Sequence, residues 1–237
     1  MKLLISDFDG TYYTDDISIL KNNEKIKVFR KNNNLFMLSS GRSFNSLKKM
    51  CEKFNIEYDY LSCCDGSILY DKENNIIIKF MLNQDILKEF LNLKKIVKIE
   101  RIQYSYYDDY YPKYIDDNLI GCNLVIENDE IKEEFLKEFY KLQNKYKDYD
   151  FLVYKHDDVT FFCLKNKGIN KSTTINFLME KYKLNKNDIY PVGDNENDYP
   201  MLSLFNGYYI GSPDKRIIDA CRNGYNHVYE LIDDINI

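Results

Sequence analysis

The chain has no tryptophan and only two histidines, His156 and His227, among its 237 residues. Neither histidine has a partner at a spacing that zinc sites use, and the two give little support to a Ser-His-Asp triad. The six cysteines include no CxxC pair, which argues against a thiolate metal site or a redox motif. We therefore expect reduced, mostly buried thiols of the kind found in a cytoplasm.

Long apolar runs are also absent. Even residues 119–126 are interrupted by polar side chains and are far too short to span a membrane. The apolar start at residues 1–5 gives way at once to Ser6 and Asp7, so it is too short for a secretion signal. The net charge of −5 comes without any Lys/Arg block, which gives no electrostatic footprint for nucleic acid. We expect a cytoplasmic protein whose partners are small molecules, without a membrane or nucleic-acid partner.

What the sequence does contain is an alternation of strand and helix patterns. Short apolar runs at residues 2–6, 35–38 and 60–64 predict buried parallel strands, with helices between them over residues 18–32 and 44–54. This order is typical of an α/β fold with a doubly wound parallel sheet.

The alternation pauses after the third strand. Apolar runs at residues 68–70 and 76–78 flank a polar five-residue turn, which predicts a hairpin. The pattern then changes to helix, strands, helix, strands, which indicates an inserted α+β domain. We assign residues 1–81 and 166–237 to a core and residues 82–165 to the insertion.

The first pattern resumes after the insertion. A helix is predicted over residues 171–182 and a strand over residues 189–192. The remaining predicted elements are strands near residues 208–210 and 227–229 and helices over 197–205, 213–222 and 229–235. These complete the doubly wound sheet.

Carboxylates follow two of the predicted strands. Asp7 and Asp9 come directly after the first strand, and Asp194 and Asp198 come after the strand that ends at residue 192. Because parallel strands of an open sheet end at one edge, the two groups can meet there. Facing carboxylates repel one another unless a cation lies among them, and an all-oxygen site suits Mg²⁺. An ionised aspartate with such positive charge beside it can attack a phosphate dianion without first losing a proton.

Four motifs in order carry a resemblance to a known family: residues 7–11 (DFDGT), residues 40–42 (SGR), Lys171, and residues 193–198 (GDNEND). They resemble the haloacid dehalogenase superfamily, and the chain is most similar to its Cof-type sugar-phosphate phosphatase branch. The resemblance implies a Rossmann-like core with an inserted cap. It also implies Mg²⁺-dependent hydrolysis of small phosphorylated metabolites, with sugar phosphates expected, through a phospho-aspartyl intermediate on Asp7.

The resemblance also implies roles for single residues. Asp7 would be the nucleophile and a metal ligand, Asp9 the general acid and then base, and Asp194 a further metal ligand. Asp9 would bind the metal through its backbone carbonyl, and Asp198 would orient Lys171 or a metal-bound water. The implied contacts to phosphate come from Thr11, Ser40, Gly41, Arg42, Lys171 and Asn197.

Two other functions remain open at this point. A phosphomutase or phosphotransferase would use the same core but pass the phosphoryl group to a sugar. A phosphate-ligand sensor is the weaker alternative, because every catalytic carboxylate is retained. Asp65 departs from the pattern of the branch, which usually has asparagine there, and its extra carboxylate disfavours some phosphorylated ligands. We expect a monomer or a weak homodimer.

Overall fold

The computed structural model describes residues 1–116 and 118–235, so residue 117 of the predicted insertion and residues 236–237 of the predicted core lie outside it. The chain divides into two compact units. The first combines Met1–Ile78 with Asn170–Ile237, and the second is Lys79–Ile169.

The helices and strands follow one another in a mixed α/β order. The strands are β1 (Leu3–Ser6), β2 (Leu35–Ser39), β3 (Tyr60–Cys63), β4 (Ile68–Asp71), β5 (Ile76–Lys79), β6 (Arg101–Tyr106), β7 (Tyr110–Tyr111), β8 (Leu119–Glu127), β9 (Tyr149–Lys155), β10 (Val159–Asn166), β11 (Ile189–Gly193), β12 (Tyr208–Ile210) and β13 (Asn223–Tyr225). The helices are α1 (Asp16–Lys31), α2 (Phe44–Phe54), α3 (Gln84–Asn92), α4 (Glu133–Lys145), α5 (Lys171–Tyr182), α6 (Tyr199–Phe205), α7 (Lys215–Ala220) and α8 (Val228–Ile235).

The first unit is built on a sheet of order β13-β12-β11-β1-β2-β3-β4-β5. β1 pairs in parallel with both β2 and β11. It therefore lies between a strand of the N-terminal segment and a strand of the C-terminal segment of this unit. The pairs β2–β3, β11–β12 and β12–β13 are also parallel, while β4 runs antiparallel to β3. The end of β1 is therefore flanked by the ends of β2 and β11, where ligands bind in open parallel sheets.

Both faces of this sheet are covered. Leu4 packs in one core cluster with residues of α1, α2 and α8. Its neighbours Leu3 and Ile5 point the other way and pack with residues of α5, α6 and α7. Successive side chains of a strand alternate between faces, so a run that is apolar at every position belongs to a strand buried on both sides. The predicted doubly wound α/β fold is confirmed.

The second unit has a five-stranded antiparallel sheet of order β7-β6-β8-β10-β9. Its own core lies between this sheet and the helices α3 and α4. Phe90 of α3 and Phe135 and Phe139 of α4 are fully buried there, together with Phe162 of β10. This unit therefore has an α+β architecture with a separate hydrophobic core.

The predicted strand at residues 227–229 is wrong. The last strand of the sheet is β13, and α8 begins at Val228 instead. Gly224 in the middle of β13 gives no strand signal, because glycine is depleted in strands. The sheet nevertheless needs glycine there, since the ring of Tyr209 lies 2.1 Å from where a Cβ would stand.

Candidate active site

The chain turns sharply where β1 ends. The N–H of Asp7 donates to the carbonyl of Val192 at 3.0 Å, which extends the parallel pairing to the first residue beyond the strand. Gly10 follows with φ of +84°, a conformation that L side chains rarely adopt. A Cβ on Gly10 would lie 2.5 Å from Oδ2 of Asp194, so the turn needs glycine to bring Asp194 over it.

The segment after β11 forms a second tight turn, closed by Asp198. Its Oδ2 accepts from the backbone N–H groups of Asp194 and Asn195, at 3.1 and 3.0 Å. The side chain of Asp198 also fills the space where a Cβ of Gly193 would stand, at 2.5 Å. Asp198 therefore fixes the backbone from which Asp194 projects.

Lys171 is the first residue of α5, and the preceding Asn170 caps the helix. The Asn170 side chain accepts from the N–H of Ser172 at 2.9 Å, while its own N–H donates to the hydroxyl of Thr173 at 3.2 Å. This capping box fixes the direction in which the chain enters the helix. It thereby sets where the Lys171 side chain starts.

Lys171 lies completely buried between two carboxylates. Its Nζ donates to Oδ1 of Asp7 and to Oδ1 of Asp198, both at 2.6 Å. A buried ammonium without partners would be very costly, and these two short charge-assisted hydrogen bonds compensate for that cost. The lysine thus joins the turn after β1 to the turn after β11.

The protonation of this cluster is shifted by burial and by mutual repulsion. Burial raises the pKa of Asp7 to about 7, although Lys171 opposes the shift. Burial also raises the pKa of Asp194. For Lys171, burial alone would lower the pKa, but the charges of Asp7 and Asp198 outweigh it and raise the pKa. Further positive charge near Asp7 and Asp194 would stabilise their ionised forms.

The donor set fits Mg²⁺. Within the described residues, carboxylate oxygens of Asp7, Asp194 and Asp198 lie within 4.8 Å of one another. Both oxygens of Asp198 are already used by Lys171 and by backbone amides, so Asp7 and Asp194 are the members available to a cation. Thr11 donates its hydroxyl to Oδ1 of Asp194 at 2.5 Å and thereby orients it. Hard oxygen ligands of this kind are those that Mg²⁺ prefers.

A cavity of about 260 Å³ opens beside Asp7 in the first unit. Most of the predicted site residues line it. The lining consists of Asp7, Asp9, Ser40, Gly41, Arg42, Asn195 and Asn197. Ser40 accepts from the N–H of Arg42 through its hydroxyl oxygen at 3.2 Å and can still donate its own proton. The cavity therefore brings the carboxylate of Asp7 together with polar donors.

The side chains of Arg42 and Asp9 form a bidentate ion pair at the cavity. Nε and one terminal nitrogen of Arg42 donate to the two carboxylate oxygens of Asp9 at 2.6 and 2.7 Å. The other terminal nitrogen donates to Ser46 at 3.0 Å, and the guanidinium lies over the ring of Phe8. In this structure Arg42 thus contacts Asp9, which was predicted as the acid, whereas its predicted contact was to phosphate.

Three further residues have contacts or positions in the structure that differ from those predicted or were not predicted. Thr11, predicted to contact phosphate, donates to Asp194 and does not line the cavity. Asn195 lines the cavity but was not predicted, although it lies inside the GDNEND motif. Asn197 donates to Oδ1 of Asp65 at 3.1 Å, a contact across more than a hundred residues that spacing alone does not indicate.

Comparison with known proteins places the chain in a family. The family model of haloacid dehalogenase-like hydrolases matches residues 4–163 and 113–230, which together span most of the chain. The chain therefore belongs to the haloacid dehalogenase-like hydrolases. The predicted resemblance to a Cof-like member of this superfamily is confirmed, and so is the prediction that the protein is a hydrolase of this superfamily.

Individual relatives extend the comparison. A putative phosphatase of Buchnera aphidicola is 27% identical over 188 residues, which cover 78% of this chain and 64% of that protein. A structure from a study of haloalkanoate superfamily phosphatases, from Bacteroides thetaiotaomicron, has a TM-score of 0.77 at 14% identity, over 100% of this chain and 95% of the other. A haloacid dehalogenase subclass IIB sugar phosphatase has a TM-score of 0.70 at 14% identity, over 100% and 99%. These structures share the fold of this chain.

The helices give no sign of a membrane span. Within residues 1–116 and 118–235, no helix combines the length and the apolar character that crossing a bilayer requires.

Proposed function

We propose that this chain is a Mg²⁺-dependent phosphatase that hydrolyses small phosphorylated metabolites through a phospho-aspartyl intermediate on Asp7. One observation carries the proposal. Asp7 lies at the cavity with its carboxylate held by the buried ammonium of Lys171, and Asp198 on the other side fixes that ammonium. A carboxylate fixed beside a positive charge is what an attack on a phosphate dianion requires.

Two in-line steps complete the reaction. In the first, the carboxylate of Asp7 attacks phosphorus, the bond to the leaving oxygen breaks, and Asp9 gives that oxygen a proton. In the second, water attacks the phosphoryl group while Asp9 takes a proton from it, so that inorganic phosphate leaves and Asp7 is regenerated. Arg42 must release Asp9 before the first step, because a carboxylate held by both oxygens on a guanidinium carries no proton to donate.

The remaining residues hold the phosphoryl group and the charge around it. Ser40 and Asn197 line the cavity with groups that donate to phosphoryl oxygens, and Lys171 neutralises part of their charge. Mg²⁺ would be held by Asp7, Asp194 and the backbone carbonyl of Asp9, and when bound it supplies positive charge to the phosphoryl oxygens.

Sugar phosphates are the substrate class that we propose. The support is the name of one fold neighbour, a sugar phosphatase, together with the phosphatase name of the Buchnera relative. We assign residues 82–165, which lie within the second unit, the role of a cap that shields the reaction from water. We also propose a cytoplasmic monomer or weak homodimer, and the six cysteines, all of them thiols, are consistent with that compartment.

The test is phosphate release from phosphorylated sugars, nucleotides and p-nitrophenyl phosphate, with and without Mg²⁺. Asp7→Asn should lower turnover roughly a thousandfold or more, because it removes the nucleophile. Asp16→Asn on the exposed start of α1 is the matched control and should retain activity. Undiminished turnover in Asp7→Asn would overturn the assignment, and isomerised sugar phosphate without net phosphate release would select a phosphomutase.

A further inference from the structure

The turn after β3 holds Asp65 beside the cavity. Cys64 and Asp65 have φ of 50° and 52°, and Gly66 follows at 88°, so three consecutive residues are left-handed. The N–H of Asp65 donates to the carbonyl of Ser40 at 3.1 Å, and a Cβ on Gly66 would lie 2.1 Å from the carbonyl of Asn170. The turn is thus packed between the end of β2 and the start of α5, and its conformation is unfavourable for the two non-glycine residues.

The carboxylate of Asp65 lies against the wall of the cavity. Its Oδ1 accepts from Nδ2 of Asn197 at 3.1 Å. Both carboxylate oxygens lie 3.3–3.4 Å from the point where a Cβ of Gly41 would stand. Gly41 and Asn197 both line the cavity, so the carboxylate is one side chain away from the proposed phosphoryl subsite. The negative charge of Asp65 also acts on Lys171 and contributes to the raised pKa of that ammonium.

What aspartate supplies at this position is its charge. An asparagine would adopt the left-handed conformation at least as readily. Its carbonyl oxygen would also accept the same hydrogen bond from Asn197. The turn and the contact to Asn197 therefore do not require a carboxylate, and the negative charge is the only property that asparagine would not reproduce.

The negative charge of Asp65 repels bound substrate and product phosphate more than it repels the transition state. A phosphate dianion in the subsite is repelled by it. The transition state of phosphoryl transfer is loose, and in it the transferring group resembles metaphosphate and has passed charge to the leaving oxygen. The repulsion is therefore greater for bound substrate and for product phosphate than for the transition state, so the charge weakens ground-state binding without an equal loss in kcat/KM.

We propose that the negative charge of Asp65 lowers the affinity of the phosphoryl subsite for phosphate dianions and so limits inhibition by the product. This inference rests on the proposed phosphatase function, because it takes the cavity beside Asp7 as the phosphoryl subsite.

The experiment compares wild type with Asp65→Asn, which keeps the turn and the acceptor for Asn197. The dissociation constant of inorganic phosphate is measured by calorimetry with Mg²⁺ present, and kcat and KM are measured with p-nitrophenyl phosphate. We expect the variant to bind phosphate about tenfold more tightly and to have a correspondingly lower KM, without a rise in kcat. Glu24→Gln removes the same charge from the exposed face of α1 and should leave all three constants unchanged.

Unchanged or weaker phosphate binding in Asp65→Asn, in an enzyme that still turns over, would overturn this inference alone. A wild type and variant that both fail to bind phosphate in the presence of Mg²⁺ would overturn the phosphoryl subsite, and the proposed function and this inference would fail together. Tighter phosphate binding without turnover of any tested ester would support the effect of the charge while contradicting the phosphatase.

Discussion

Lys171 joins the two turns from which the carboxylates of the site project. Its ammonium is the shared partner of Asp7 and Asp198, which come from opposite ends of the sequence. Buried ion pairs of this kind contribute little net stability while intact, but removing one partner leaves an uncompensated buried charge. The site is therefore sensitive to the loss of the lysine in a way that a surface pair is not.

Replacing Lys171 with methionine tests this sensitivity. We expect Lys171→Met to lower the free energy of unfolding by about 3–5 kcal/mol in Mg²⁺-free buffer, because two buried carboxylates lose their counter-charge. Equilibrium urea unfolding measures the change. Lys25→Met breaks an exposed pair with Asp233 and should cost about 1 kcal/mol or less. Equal losses in the two variants would contradict the role assigned to burial.

The raised pKa of Asp7 makes Mg²⁺ binding depend on pH. Metal and proton compete for the same carboxylate, so the affinity for Mg²⁺ should fall up to about tenfold per pH unit below about pH 7. The pKa of Asp7 is higher in the folded chain than the ordinary 3.8, so its ionisation removes stability as pH rises towards 7. Bound Mg²⁺ should restore it, which predicts a larger Mg²⁺-induced increase in Tm at pH 8 than at pH 5.5. Titration calorimetry and thermal unfolding check both expectations, and an affinity that is constant from pH 5.5 to 8 would contradict them.

Among the elements, the turn after β1 depends on one glycine. In Gly10→Ala the new Cβ would lie 2.5 Å from Oδ2 of Asp194, so the carboxylate must move. We expect Mg²⁺ affinity and phosphatase activity to fall roughly tenfold or more, since displacing one ligand by a fraction of an ångström degrades the near-ideal geometry that Mg²⁺ demands. Gly211→Ala is the matched control: its φ of +67° is similarly strained, but no atom lies within 4 Å of the new Cβ. It should lose about 1 kcal/mol of stability and keep its Mg²⁺ affinity.

How well an element could be predicted depended on whether its signals were local. The predicted bounds of α2 and α5 agree with the structure, because Ser43 and Asn170 cap them and the apolar spacing is helical. α1 begins two residues before its predicted start, since Asp15 accepts from the N–H groups of Ile17 and Ser18 and caps the helix there. β13 was missed because its pairing with β12 is not encoded in the residues of β13 themselves.

The same distinction applies to the site. The meeting of Asp7 with Asp194 follows from a rule about strand ends, and the sequence was sufficient to predict it. The ion pair of Arg42 with Asp9 and the hydrogen bond of Asn197 with Asp65 each join side chains of two loops that are distant in sequence. Only the folded chain brings those loops together. Several arrangements of those side chains suit the same sequence pattern, so their partners could not be predicted from spacing.

The whole molecule contains separate cores. Two clusters lie on the two faces of the first unit's sheet, and a third lies inside the second unit. Because Asp7, Asp194, Lys171 and the cavity all belong to the first unit, we expect Mg²⁺ to stabilise that unit.

Hydrogen exchange resolved by peptide can test this expectation. Saturating Mg²⁺ should slow exchange in the buried strands of residues 1–78 and 170–235 and leave β8 and β10 unchanged. The comparison of wild type with Asp194→Asn controls for effects of salt, since the variant lacks one of the two available carboxylates. Equal protection of both units by Mg²⁺ would contradict the independence of their cores.

The position of β1 in the sheet also affects how the protein is made. β1 is synthesised first, yet one of its two neighbours, β11, is synthesised only after the whole second unit has been completed. A nascent chain that ends at residue 169 thus contains every strand of the second unit's sheet but lacks Lys171, Asp194 and β11, one of the two strands that flank β1. On the ribosome, the second unit can therefore fold before the first unit is complete, and Asp7 meets Lys171 and Asp194 only after the C-terminal segment has been made.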